Sequence, residues 1–127
     1  MQYMILIYGD EKAWAKLSEA EMGKAYEEYM TYSKDLAQAR ALVGGASLQP
    51  VATATSVRVV NGKTKTTDGP FAETKEQLGG YYIVDVPNLD EALKWSAKCP
   101  GAKHGTIEVR PLGIITAPDG GIAAMQQ

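Results

Sequence analysis

One cysteine, one histidine and one phenylalanine are all that 127 residues contain of those types. With Cys99 alone there is no internal disulfide, no CxxC pair and no zinc knuckle, and the thiol reads as a small buried hydrophobe. A single histidine, His104, cannot build a zinc centre, which needs several such ligands, so no metal is expected. Thirteen basic residues against fifteen acidic ones leave a net charge of -2, without the basic stripe that nucleic acid requires. No apolar run approaches the roughly 18 residues of a membrane helix, and no leader pattern precedes the first strand signal. The expected compartment is the cytoplasm. Gly44-Gly45 and Gly79-Gly80 read as caps and hinges rather than a G-x-G-x-x-G fingerprint, so no nucleotide cofactor is expected either.

What is present suits one domain over residues 1–127, with 113–127 as a partly loose tail. Tyr3 to Tyr8 is apolar on both faces and predicts a central strand. Ser18 and Glu21 have the spacing of a capping box, and the helix that follows is predicted to run to about Leu42 and stop at Gly44-Gly45. Its predicted stripe is Met22, Tyr26, Tyr29, Ser33, Leu36 or Ala37, and Ala41. Val51–Val60 and Lys63–Thr67 flank Asn61-Gly62, a strong hairpin signal, and the lysines of the second arm place it toward an edge. Tyr81–Val86 predicts a second central strand. Asn88 caps a second helix with Leu89, Ala92, Leu93, Ser96 and Ala97 as its stripe, and Thr106–Arg110 is the last clear strand.

Strand, long helix, hairpin, strand, helix, strand is an α+β order, a ferredoxin-like split β-α-β unit with an extra hairpin. Two helices cover one sheet face only, yet the strands at Tyr3 and Tyr81 are apolar on both. A large uncovered apolar face is rare on a monomer, so the expectation is a homodimer packed sheet against sheet about a two-fold axis.

Asp68-Gly69-Pro70-Phe71, continuing through Ala72-Glu73-Thr74-Lys75-Glu76 to Gly79-Gly80-Tyr81-Tyr82, and Gly105 to Leu112 near the end, together resemble the DGPF-type members of the YCII-related protein family. The resemblance runs from the first strand to Leu112. It implies a dimeric α/β barrel of two ferredoxin-like subunits and little about activity. Genes of such proteins often lie beside those of extracytoplasmic-function sigma factors. Some wider relatives look like enzymes acting on small aromatic molecules through a histidine–aspartate pair near the N-terminal part. The only histidine here is His104, next to the last strand, and none matches the histidine of those enzymes, so Asp10 and Asp68 stand without that partner.

The candidate site places the carboxylates of Asp68, Glu73 and Glu76 at the rim of a cleft between the sheet and the long helix, with Asp68 or Glu73 as the general base and Lys75 holding an anionic substrate. Against this, Asp68 reads more readily as a turn former that accepts backbone hydrogen bonds, and Glu73 and Lys75 as solvent-facing or a modest ion pair. Glu108 and Arg110 share one face of the last strand, where they would line a pocket, sit exposed or bridge subunits. Tyr8 and Tyr29 are ligand-binding candidates because a buried phenol still offers a hydrogen bond, whereas Phe71 is expected to plug the turn onto the sheet. Three functions stay open: a protein that binds or transforms a small molecule in a cleft near the Asp-Gly-Pro-Phe turn, a regulatory or protein-interaction module of a sigma-factor system, and a structural dimer without catalysis.

Overall fold

A computed structural model describes residues 1–124 of the chain. The strands β1 (Gln2–Gly9), β2 (Leu42–Ser47), β5 (Gln77–Asp85) and β6 (Thr106–Pro111) form one antiparallel sheet in the order β2-β5-β1-β6. The short helix α1 (Glu11–Ala15) and the long helix α2 (Glu19–Gln38) connect β1 to β2, and α3 (Leu89–Lys98) connects β5 to β6. This is the ferredoxin-like split β-α-β arrangement. Into its middle, between β2 and β5, is inserted the separate two-stranded hairpin of β3 (Thr55–Val60) and β4 (Lys63–Asp68).

Local chemistry sets the helix starts. The Ser18 hydroxyl accepts from the Glu21 amide at 3.1 Å while the Glu21 carboxylate accepts from the Ser18 amide at 3.0 Å, completing the capping box. Those bonds hold the Glu21 carboxyl below its ordinary pKa. Asn88 caps α3 through the Glu91 amide, and Asp10 caps α1 through the Lys12 amide, which gives Asp10 a structural task. The core lies between the sheet and α2 with α3. Tyr3, Ile5 and Val84 pack beneath Tyr32, Leu36, Ala92 and Cys99, with Ile7, Ile107 and Val109 filling in at the edges. Each fully buried aliphatic side chain in such a layer stabilises the fold by about 1.5–3 kcal/mol.

Four features differ from the sequence reading. First, α2 ends at Gln38, and Gly44-Gly45 lie inside β2, an edge strand the periodicity does not reveal. The helix is closed by Arg40 in the left-handed region at φ 57°. The Arg40 amide donates to Ala37 and the Ala41 amide to Leu36, the two bonds of a Schellman cap. Because an arginine occupies the position glycine favours, Arg40→Gly is expected to raise unfolding free energy by about 1 kcal/mol, read by urea denaturation.

Second, the buried helix stripes are narrower than predicted: Leu36, Ala92 and Ser96 are buried as expected, and Tyr32 joins them from outside the predicted stripe. Tyr32 and Leu36 are the buried positions of α2 while Tyr26 is exposed, and α3 buries Ala92 and Ser96 and leaves Leu89 and Leu93 in solvent. Third, Phe71 is not a core plug. It is 87% exposed, because Gly69 at φ 99° turns the chain away from the sheet. Fourth, Ile114–Thr116 and Ile122–Ala124 pair as a small hairpin (β7 and β8) within the segment read as a partly loose tail; residues 125–127 lie outside the described residues.

Candidate functional site

Alternation along β1 and β6 divides their side chains between two surfaces. Tyr3, Ile5 and Ile7, with Ile107 and Val109, take the helix side, so Met4, Leu6 and Tyr8, with Thr106, Glu108 and Arg110, take the open side. Register places Leu6 opposite both Tyr81 and Glu108, and Met4 opposite Ile83 and Arg110. The open face is therefore an apolar field of half-buried side chains with a polar cluster along its β6 edge.

That cluster is closed by specific bonds. The Tyr8 hydroxyl donates to Glu108 Oε1 at 3.1 Å. Arg110 Nε donates to Glu108 Oε2 at 2.9 Å, and Nη2 of the same guanidinium lies 2.8 Å from that oxygen, completing an ion pair. Charge-assisted bonds of this kind fix a carboxylate's orientation more firmly than a neutral contact does. Partial burial, reinforced by the neighbouring carboxylate, pushes the Tyr8 phenol above its ordinary pKa, so it serves as a neutral hydrogen-bond donor at physiological pH. Two residues back along the same face, the Thr106 hydroxyl donates to Glu76 Oε1 at 2.8 Å. Glu76 ends the loop that leaves the Asp68–Phe71 turn, so that loop delivers a second carboxylate to the row holding Glu108. Thr74 and Gln77 hold the loop end through bonds to the Glu76 and Thr74 carbonyls, and the Gln77 side chain also accepts from the Glu11 amide.

The other candidate residues lie elsewhere. Asp68 is the exposed last residue of β4, opposite Thr55, and its carboxylate takes no hydrogen bond among the described residues. The turn is held instead by the Gly69 amide donating to Ala54 at 2.7 Å and by the Ser56 hydroxyl donating to the Gly69 carbonyl at 2.9 Å. Glu73 and Lys75 are exposed in the following loop and form no ion pair among the described residues. Tyr29 sits on the opposite side of the sheet, under α2 beside Cys99 and Gly101. Burial, with the Cys99 thiol beside it, raises its pKa far above the ordinary range. Burial likewise pushes the Cys99 thiol up, which makes it a core residue rather than a nucleophile. His104 is exposed. Of the seven sequence candidates, the structure thus brings together Tyr8, Glu108 and Arg110, and adds Glu76, the last carboxylate of the Asp68–Glu76 stretch, and Thr106 beside it.

No cluster of three or more metal-ligating side chains occurs among the described residues, and no described helix is long and apolar enough to cross a membrane.

The sheet order, the two covering helices and the polar row on an open apolar face define a ferredoxin-like α+β domain with one sheet face left for further contacts. By family the chain belongs to the YCII-related proteins: a family model described as the YCII-related domain matches residues 1–114. An uncharacterized protein of Rhizobium meliloti (strain 1021) is 37% identical over 116 residues, covering 90% of this chain and 94% of the relative. Among solved structures, 5-chloro-2-hydroxyhydroquinone dehydrochlorinase (TftG) of Burkholderia phenoliruptrix AC1100, in complex with 2,5-dihydroxybenzoquinone, superposes with a TM-score of 0.48. It is 12% identical, and the match covers 88% of this chain and 93% of that one.

Proposed function

We propose that this YCII-related protein, of the DGPF type by its Asp68–Phe71 turn, is a homodimer that binds a small molecule over the open sheet face. The observation that carries the reading is the Tyr8–Glu108–Arg110 triad. It is an oriented carboxylate with a phenol on one oxygen and a guanidinium on the other, set at the edge of an apolar field. Two such faces packed about a two-fold axis remove Met4, Leu6, Tyr81 and Ile83 from water and enclose the polar row. In a closed chamber the triad recognises a ligand with a hydroxyl or enol proton for Glu108 and an oxygen for Tyr8 or Arg110. A carboxylate so placed also has the geometry to accept a proton from a bound substrate, with Tyr8 donating to the oxygen on which charge develops.

Glu73 and Lys75 come to this reading as residues of the loop that carries Glu76, Asp68 as the end of β4 from which the turn into that loop departs, and Tyr29 as a residue beneath the floor of the sheet. Native mass spectrometry of gently purified protein tests the proposal. The expected result is twice the monomer mass with a small-molecule increment, and an increment at least about tenfold weaker in Glu108→Gln, which keeps the fold but loses the charge. A bare monomer, or a ligand held equally by Glu108→Gln, would sink it.

A further inference from the structure

The hairpin of β3 and β4 carries a second feature, independent of the triad. Asn61 and Gly62, at φ 51° and 77°, form a two-residue turn that pairs Val60 with Lys63 and therefore Arg58 with Lys65. Two cations directly opposite each other on one hairpin face repel, an arrangement that destabilises a strand pair unless an anion lies between them. Lys63 shares that face, and no carboxylate among the described residues forms an ion pair with any of the three.

The same face is concave. Ser56, Arg58, Lys65 and Thr67 form the floor of a cleft of about 250 Å³, and Val60, Pro70 and Phe71 supply its apolar walls. The Asp68-Gly69-Pro70-Phe71 turn makes the end wall. Gly69 reverses the chain, Ser56 and Ala54 pin it back onto β3, and the Phe71 ring is left at the rim, exposed along nearly its whole surface.

We infer that this cleft binds a small carboxylate carried on a flat apolar body, such as an aromatic acid. Arg58 offers the planar fork that grips a carboxylate through two parallel bonds, Lys65 adds a point charge, and Ser56 and Thr67 supply hydroxyl donors. Phe71 and Pro70 provide a stacking surface for the ring. The volume lies below the roughly 300–1,000 Å³ of drug-sized pockets, which suits a single-ring molecule. On this inference the Asp-Gly-Pro-Phe turn is the part of the chain that shapes a binding cleft, with Asp68 directed away from it on the other hairpin face.

Benzoate is the probe, with benzyl alcohol as the uncharged control, and amide shifts of isotope-labelled protein are the readout. Saturable shifts confined to Ser56–Val60 and Lys65–Phe71, absent with benzyl alcohol, are expected. Affinity is expected to fall at least tenfold in Arg58→Gln and several-fold in Phe71→Ala. Both side chains are exposed, so these variants should retain the wild-type spectrum elsewhere. Shifts that do not saturate, that centre on Tyr8 and Glu108, or that persist in Arg58→Gln/Lys65→Gln would overturn the inference. So would a loss of dimer mass in Arg58→Gln, which would assign the cations to a carboxylate of a second copy of the chain.

Discussion

Replacing Gly105 by alanine is expected to cost about 3 kcal/mol or more of stability, and to lower the melting temperature by on the order of 10 °C. Gly105 opens the approach of β6 to β1. A Cβ built there would lie 2.0 Å from the Tyr8 carbonyl oxygen and 3.1 Å from Gly9 Cα. Both obstacles are backbone, so relief requires prising β6 from β1 at the Tyr8–Thr106 pair. The neighbouring Gly101 makes the comparison. A Cβ there would meet the Tyr29 hydroxyl at 2.7 Å and Ile7 Cγ2 at 2.9 Å, side-chain atoms that repacking can shift without parting two strands. Gly101→Ala should therefore lose markedly less than Gly105→Ala, both read by thermal unfolding. Equal losses would mean that the close approach at Tyr8 relaxes at little cost. Because the Gly105 substitution displaces the strand segment that aims Tyr8 at Glu108, residual folded protein should also bind the triad's ligand more weakly.

The sequence reading and the fold agree where a local signal and the tertiary outcome point the same way. Ser18 with Glu21, and Asn88 with Glu91, start helices because the caps satisfy amides that nothing else would. Asn61-Gly62 makes its hairpin because both residues accept positive φ. The reading fails at β2 because Gly44-Gly45 is a local helix-stop signal, whereas in the fold Gly45 is demanded by contact with another strand. A Cβ at Gly45 would come 2.7 Å from the Tyr81 carbonyl oxygen, and one at Gly80 would come 2.8 Å from that of Ala46. Close backbone approach between distant segments leaves no periodic trace. The helix instead ends on Arg40, a residue whose type does not announce the left-handed region.

The candidate site divides in the same way. Glu108 and Arg110 are neighbours on one strand face, so their pairing follows from alternation alone, while Tyr8 reaches them only through the β1–β6 register. Glu76 is brought to Thr106 by a loop whose path no short-range rule predicts. Asp68 drew attention as part of a motif, yet the backbone of Gly69 and the hydroxyl of Ser56 hold that turn. The Arg58–Lys65 juxtaposition, which the sequence reading did not draw, follows from the hairpin signal alone. A two-residue turn at Asn61-Gly62 fixes the register, and counting back gives two opposed cations.

The prediction with the largest consequence for the proposed assembly is Ile83→Asp. Ile83 lies on β5, opposite Met4 on one side and Gly44 on the other, near the middle of the open face and away from the Glu108 edge. It belongs to neither helix-side core strip, so a carboxylate there should leave Tyr3, Ile5, Val84 and the helices in place, and far-ultraviolet circular dichroism should stay unchanged. In a sheet-to-sheet dimer, two-fold symmetry introduces the charge twice into the apolar centre of one interface, where each carboxylate loses its water without gaining a partner. The expected result is a dissociation constant raised by at least about 100-fold, seen in sedimentation as a monomer at micromolar concentration. Ligand retention should disappear with the dimer if the chamber exists only between two faces. A variant that stays dimeric would place the interface elsewhere, and a variant that turns monomeric yet keeps its ligand would show that one open face suffices for binding.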